Sequence, residues 1–304
     1  MKEKIRSSLL DAGAIAVGFA KAGEIDAEAD ESYKKWIGEG YNGEMAYLER
    51  HIPLRFSTEN VLPGAATVIS MAFGYAPKKR RSDLYPYIAS YADGEDYHIV
   101  LRERLQPIIN DFEKEYGGKW RICIDSAPVA ERYWAVKSGI GFRGLNGSII
   151  IDCYGSLCFL VEILTTLEIT PDSPSTGFCS RCGKCIRECP GKALRGDGTM
   201  DARNCINYLT IEKKGDFSES ENFLISGGSG YLFGCDRCQR VCHYNHGSNP
   251  AQEIFKSKIL DLKAEDILSM SREDFKKRFL RSPLFYAGYD KLHRNALTLK
   301  IKKD

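Results

Sequence analysis

The most constraining feature of this sequence is a run of four thiols, Cys179-x-x-Cys182-x-x-Cys185-x-x-x-Cys189, followed at once by Pro190. Thiolates at this spacing fit three corners of a 4Fe-4S cube, and the fourth cysteine of such a run ligates the neighbouring cluster in two-cluster ferredoxins. Structural zinc uses two short Cys/His pairs split by a longer loop, so four thiols within eleven residues point to iron–sulfur chemistry. A second run, Cys235-x-x-Cys238-x-x-x-Cys242, and Cys205 thirty residues upstream of it bring the thiols to eight. The exchange rule places Cys179, Cys182, Cys185 and Cys242 on one cluster and Cys189, Cys205, Cys235 and Cys238 on the other, with none left over. Clusters joined in this crossed way lie close together, an arrangement for passing single electrons.

The other three of the 11 cysteines, Cys123, Cys153 and Cys158, fall in or beside strand patterns and read as buried structural residues. An odd cysteine count argues against a disulfide framework. The opening MKEKIRSSLLDAGAIAVGFA carries an acidic residue and no small-residue cleavage site, and no apolar run reaches the ~18 residues of a membrane span. A cytoplasmic, monomeric protein with no membrane partner is expected. Lys+Arg 43 against Asp+Glu 41 leaves +2, which excludes holding a polyanion by bulk charge, so any nucleic-acid contact must be local.

At ~150 residues per domain, 304 residues suggest about two domains. Helices are expected over 2–12 and 27–38 and a strand over 15–20. A second strand at 67–75 is apolar enough to be buried on both faces, and a basic loop at 78–81 follows it. Residues 96–116 have helical spacing, with Pro107 expected to kink or divide the element. A strand at 120–124 ends on Asp125, and Pro128 opens a helix that runs to 137. The runs 148–151 and 156–165 read as one hairpin around 152–155. Residues 170–177 are linker-like, and 251–304 carry 13 basic and 8 acidic residues. The fold class is therefore α+β: an N-terminal α/β domain over 1–170, a ferredoxin-like two-cluster domain over 171–250, and a short basic helical segment over 251–304.

A ferredoxin needs far less chain than this, so the N-terminal part is expected to hold what the electrons are delivered to. Gly139-Ile-Gly141-Phe-Arg-Gly144 matches G-x-G-x-x-G, but it follows a helix pattern and precedes a strand, the reverse of a dinucleotide-binding context. It reads as a glycine-rich turn or as close backbone approach to another large cofactor. Asp125 stands at the carboxyl end of a strand, where α/β folds place ligands, although a cap or turn aspartate has the same pattern. Asp96, Tyr97 and His98 pose the same choice between a site and the polar opening of a helix.

Several stretches together resemble one family, the epoxyqueuosine reductases. They are Ile88-Ala-Ser-Tyr-Ala-Asp-Gly-Glu-Asp-Tyr-His98, Asp125-Ser-Ala-Pro-Val-Ala-Glu-Arg132, Gly139 to Gly144, Gly155-Ser156 with Glu162-Ile-Leu-Thr165, the first cysteine run, Asp201-Ala-Arg-Asn-Cys-Ile-Asn-Tyr-Leu-Thr-Ile-Glu212, and Gly234-Cys-Asp-Arg-Cys-Gln239. The resemblance implies a cobalamin held between the N-terminal and ferredoxin-like domains, reduced through two 4Fe-4S clusters. It implies reduction of epoxyqueuosine to queuosine at the tRNA wobble position, with electrons from a donor still to be identified. The cofactor supplies the electron chemistry and the protein positions it and controls the proton. Asp125 matches the family's proton donor, a role that needs a protonated carboxyl, which burial beside the corrin would favour by raising its pKa.

Arg55 matches an arginine near the corrin, and Asn146, Ser148, Ser156, Glu212 and Asp236 stand in stretches that face the cofactor in the family. Lys213 and Lys214 follow the Thr-Ile-Glu motif as tRNA phosphate contacts or as a solvated turn, joined by Lys276, Lys277, Arg278, Arg281 and Arg294 of the basic tail. The chain departs from the family pattern at Gly144-Leu-Asn-Gly147, where a lysine is usual, and at Cys242-His-Tyr-Asn245, where Cys-Pro-Trp-Asn is usual. Two other readings carry the same cysteines: a related corrinoid iron–sulfur reductase acting on a small molecule, and a noncatalytic electron carrier.

Overall fold

The structure is a computed structural model that describes residues 1–75, 87–246, 255 and 262–300. The basic loop at 78–81 lies outside the described residues. Helix α1 (Lys2–Asp11) buries Ile5 and Leu9, worth ~1.5–3 kcal/mol for each side chain. Strand β1 (Ala16–Lys21) follows, then α2 (Ala27–Gly38), whose N-terminus is capped by the Asp26 side chain accepting from the Ala29 N–H. Strands β2 (Thr67–Gly74) and β3 (Tyr87–Ile88) lead to α3 (Tyr97–Tyr116), β4 (Trp120–Cys123) and α4 (Glu131–Lys137). Strands β5 (Gly141–Arg143), β6 (Ile149–Ile151) and β7 (Cys158–Thr165) complete this half.

The main sheet has the order β1-β2-β7-β4, and every pairing is antiparallel. The N-terminal half, expected as an α/β domain, thus carries an antiparallel sheet rather than the parallel one usual in α/β folds. An apolar strand covered by helices on both faces looks the same in either direction, so the burial of all eight β2 residues could not distinguish them. Alternation sends Ile69, Met71 and Phe73 to a core shared with α1 and α3, whereas Val68 faces a smaller cluster with Cys123, Leu164 and Trp134 of α4.

The hairpin over 148–165 closes only at its turn, where Ile151 and Gly155 form an isolated antiparallel bridge. β7 is taken into the main sheet between β2 and β4, and β6 pairs instead with β5. The glycine run is thus a hairpin strand and turn: a Cβ on Gly141 would come within 2.5 Å of the Ile150 carbonyl oxygen, and Gly147 has φ +80°. The helix expected from Pro128 begins later, at Glu131, and Pro107 lies inside α3 without dividing it. Cys123 is buried and Cys158 half-buried, but Cys153 is exposed at φ +59°, so its assignment to the interior is corrected.

The thiol-bearing half is largely loops. Its core forms further along, where α5 (Ile206–Ile211) and β8 (Tyr231–Phe233) meet α6 (Ala264–Ser269), α7 (Arg272–Phe279) and α8 (Tyr289–Lys300). Ile206, Leu209, Tyr231, Phe233, Ile267, Phe279, Leu292 and Leu299 pack as one cluster. Buried Asn295 locks it by donating to the Thr210 and Leu232 carbonyls at 2.8 and 3.0 Å. The C-terminal helices therefore close the core of the thiol-bearing half. β8 also pairs parallel with β3. Among the described residues no helix is long and apolar enough to cross a membrane.

Candidate active site

Just past the end of β4 the chain turns at Asp125, whose φ is +45°. Aspartate tolerates left-handed backbone better than most residues. Its side chain lines a cavity of ≈ 1930 Å³, larger than the ~300–1,000 Å³ of ordinary small-ligand sites. Tyr97 donates to Asp125 Oδ2 at 2.7 Å, and His98 Nε2 stands 3.3 Å from the same oxygen. Asp96 accepts from the His98 backbone N–H at 2.9 Å and lies 2.8 Å from its Nδ1. Asp96 therefore caps α3 and orients the imidazole, so 96–98 form the polar opening of that helix and also line the cavity. Behind the turn, the Asp125 N–H donates to Glu131 Oε1 at 2.7 Å.

These contacts set the protonation states. Burial raises the Asp125 pKa, but hydrogen bonds from His98 and Tyr97, with the charges of His98 and Arg132, outweigh it and hold the carboxyl below its ordinary range. The side chain is 59% accessible, yet protein surrounds it on most sides, so its open surface faces the cavity. Burial opposes the His98 imidazolium, but its bonds to Asp125 and Asp96 overcome that and push its pKa up to about 9. Glu131 rises to about 8, through burial and then the charge of Asp125. Near neutral pH, protons rest on His98 and Glu131 with the Asp125 carboxylate between them.

The cavity wall carries the rings of Tyr75, Tyr91, Tyr97, Phe159 and Phe233. Arg55 and Glu212 line it as well. Arg55 donates from Nη1 to the Val129 carbonyl at 3.0 Å, while its Nε is buried without a partner. Burial raises the Glu212 pKa, and Tyr286 O–H lies 3.5 Å from its Oε1.

The other expected cofactor residues stand outside the lining. Asp236 is buried and accepts from the Ser90 hydroxyl at 2.6 Å and from Tyr231 O–H at 2.5 Å. Ser156 is tied to Asn245, which accepts from its N–H at 2.6 Å and donates to its hydroxyl at 3.1 Å. Asn146 accepts from the Ser148 N–H at 3.2 Å within the β5–β6 turn. Sequence reasoning missed Glu131, although it lies inside the quoted stretch 125–132 and three residues into the turn-and-helix segment that begins at Pro128.

The eight thiols fall into two neighbourhoods. Cys185 has Cys179 and Cys242 as charge neighbours, and Cys242 has Cys179 and Cys182. Cys205 neighbours Cys189, Cys235 neighbours Cys205 and Cys238, and Cys238 neighbours Cys205 and Cys189. Cys185 also bears on Cys238, where the two groups approach. Burial pushes the Cys238 thiol up to about 12, a proton that only a thiolate-binding metal would displace at neutral pH. Cys205 lines the same cavity as Asp125.

Among the lysines, Lys214 is exposed, whereas Lys213 pairs with Glu221 at 3.3 Å. Two arginines of the basic tail are also committed internally. Arg281 binds Glu95 and Glu103, and Arg294 donates to the Lys213 and Leu209 carbonyls while stacking 3.9 Å from the Phe217 ring centroid. Lys276 and Arg278 are exposed, and Lys277 pairs with Glu273 along α7.

Two thiol neighbourhoods, one of which reaches the acid-bearing cavity through Cys205, are the arrangement of an iron–sulfur redox protein. Residues 178–245 match a 4Fe-4S double cluster binding domain, and residues 55–126 match the model described as epoxyqueuosine reductase QueG, DUF1730. The chain is 35% identical to the epoxyqueuosine reductase of Cyclobacterium marinum over 91% of its own length and 90% of the relative. It is also 35% identical to that of Cellulophaga algicola over 98% of its length and 99% of the relative. The structure of epoxyqueuosine reductase from Streptococcus thermophilus superposes with a TM-score of 0.86 at 27% identity, over 98% of this chain and 80% of that one. An epoxyqueuosine reductase crystallised with a tRNA-Tyr epoxyqueuosine-modified stem loop gives 0.87 at 27% identity, with the same coverage. One from Bacillus subtilis, with its catalytic aspartate loop swung out of the active site, gives 0.84 at 28% identity over 98% of this chain and 80% of that one. The chain belongs to the epoxyqueuosine reductase family.

Proposed function

We propose that this protein reduces epoxyqueuosine to queuosine in tRNA, with Asp125 as its proton-handling group and cobalamin as its second cofactor. The observation that carries the reading is the shared cavity, which places the Cys205 thiol and the Tyr97–His98–Asp125 group on one wall system. The family relationship favours this over a small-molecule reductase or a simple carrier, because the matched relatives carry the epoxyqueuosine reductase name along nearly their whole length.

The cavity supports the cofactor assignment by size, by its aromatic lining and by the unpartnered Arg55 Nε, a donor that a polar ligand edge would satisfy. Arg55 and Glu212 would hold the cobalamin. Asn146, Ser148, Ser156 and Asp236 act behind the walls, where Asp236 fixes Ser90 and Tyr231, and Ser156 is pinned by Asn245. Cobalamin supplies the electron chemistry that breaks the epoxide carbon–oxygen bond. The two thiol groups would hold the clusters in the crossed sets given above, and Cys205 brings the second set to the cavity.

Loss of the epoxide oxygen as water consumes two electrons and two protons. Asp125 passes the first proton from His98 to the departing oxygen, and Asp96 keeps the imidazole aimed at Asp125. Lys214 and the exposed Lys276 and Arg278 would hold tRNA phosphates without selecting sequence. The test is an anaerobic assay of epoxyqueuosine-containing tRNA with added cobalamin and a strong reductant. Formation of queuosine is expected, and intact epoxide after reduction of both clusters would overturn the reading.

A further inference from the structure

Helix α4 lies over the main sheet, and the layer between them holds polar groups that the mechanism above does not use. Glu162 of β7 is opposite Ser70 of β2 on one side and opposite Cys123 of β4 on the other. All three are fully buried. Neither carboxyl oxygen of Glu162 has a hydrogen-bond partner, nor does the Ser70 hydroxyl, nor the indole N–H of Trp134, which packs on this face from α4. A buried polar group without a partner is costly, and an unpaired buried carboxylate far more so. A carboxyl that keeps its proton in this layer avoids burying the charge.

Glu131, the first residue of α4, lines the cavity, accepts from the Asp125 N–H at 2.7 Å and is an electrostatic neighbour of both Glu162 and Cys123. The charged and titratable groups around Glu131 are Asp125, Arg132, Arg55, Tyr97, Cys123 and Glu162; Glu162 has Glu131 and Cys123 as titratable neighbours, with Ser70 opposite it and Trp134 on the same face. The reaction takes up two protons, and the His98–Asp125 pair accounts for one.

We infer that Glu162 is a buried proton store, held as a neutral acid between Ser70, Cys123 and Trp134, and that Glu131 connects it to Asp125 for the second proton. The inference rests on the reductase reading for its purpose but not for its detection. When Asp125 has given up its proton, Glu131 passes one to Asp125 and is refilled by Glu162. Each acid is left as its carboxylate until solvent restores it, and no electron travels this path. Glu131 and Glu162 are positioning residues, because they act through Asp125. Burial and the charge of Glu131 both favour the neutral form of Glu162, in agreement with its orphaned oxygens.

Infrared difference spectroscopy on the cluster-loaded protein without tRNA tests the store directly. A carboxylic-acid carbonyl band is expected to persist through neutral pH and to vanish in Glu162→Gln. A second component should titrate near pH 8 and vanish in Glu131→Gln. Ser70→Ala should shift the first band by removing the hydroxyl opposite Glu162, which keeps the assignment testable if Glu162→Gln folds poorly. Absence of a neutral-acid band at pH 7, or its survival in Glu162→Gln, overturns the store whatever the substrate proves to be. On epoxyqueuosine tRNA, Glu162→Gln should slow steady turnover by less than the ~10²–10⁴-fold of a general acid in contact, and should alter the pH profile. An unchanged rate and profile, with the band lost, would leave Glu162 structural and overturn the relay.

Discussion

Strand β2 and the first thiol run are held by opposite means. All eight residues of Thr67–Gly74 are buried and paired with β7, and Thr67–Ala72 pair with β1 as well. Between 171 and 190 no residue is buried, and the helix there is one turn, Lys184–Arg187. Apolar burial can fold the first without help. The second has little to bury, so metal binding must supply much of its order, as in other small metal-organised segments. The proposed proton-handling residues therefore sit on a scaffold held by its own apolar core, and the proposed cluster ligands on one that depends on its cargo.

That contrast can be broken by experiment. The largest effect is expected for Asp125→Asn, which should lower turnover by ~10²–10⁴-fold while leaving iron content and the sheet intact; near-native queuosine formation would remove its role. Stripping iron with a chelator should expose the amides of 178–190 to hydrogen exchange while those of Thr67–Gly74 stay protected. Equal loss in both segments would mean that the two halves do not differ in what holds them.

Anaerobic reconstitution should give about eight iron per chain, the content of two cubane clusters, and Cys205→Ala about half of that. Unchanged iron in the variant would refute the crossed ligand sets. A smaller effect concerns pH. The His98 pKa is raised from 6.5 to about 9, so its pairing stabilises the fold fully below the unfolded value and is lost as pH rises through about 9. His98→Gln should flatten that high-pH fall in melting temperature, and an identical pH profile would count against the pair. The smallest effect is expected from Lys214→Ala, which should weaken tRNA binding slightly and lower the salt dependence by about one phosphate contact. Lys213→Ala should chiefly lose the Glu221 ion pair, so a larger binding defect there than at Lys214 would reverse their roles.

The two halves also differed in what their residues disclosed. Patterns at 2–12, 27–38, 96–116 and 120–124 gave elements close to those found, because apolar spacing and the caps at Asp26 and Asp96 act locally. Strand direction and pairing were not legible: β7 is apolar enough for a central position, but nothing in 156–165 names β2 and β4 as its neighbours. The thiol spacing carried the cluster chemistry because a cube imposes its own distances. Asp125 was visible as a strand-end acid, whereas its low pKa was not, since Tyr97 and His98 come from α3, 27 to 28 positions earlier. Glu131 looked like an ordinary helix-opening acid, and only the turn at Asp125 shows otherwise.

The positive φ at Asp125 has a consequence for how this enzyme could be improved or spoiled. An L-residue in that conformation costs on the order of 1–2 kcal/mol that glycine would not, so a protein optimised only for heat resistance would discard the aspartate. Sequence redesign for robustness should therefore fix position 125 in advance, because on the proposed role of Asp125 the mutation that relaxes the loop is also the one that would silence it.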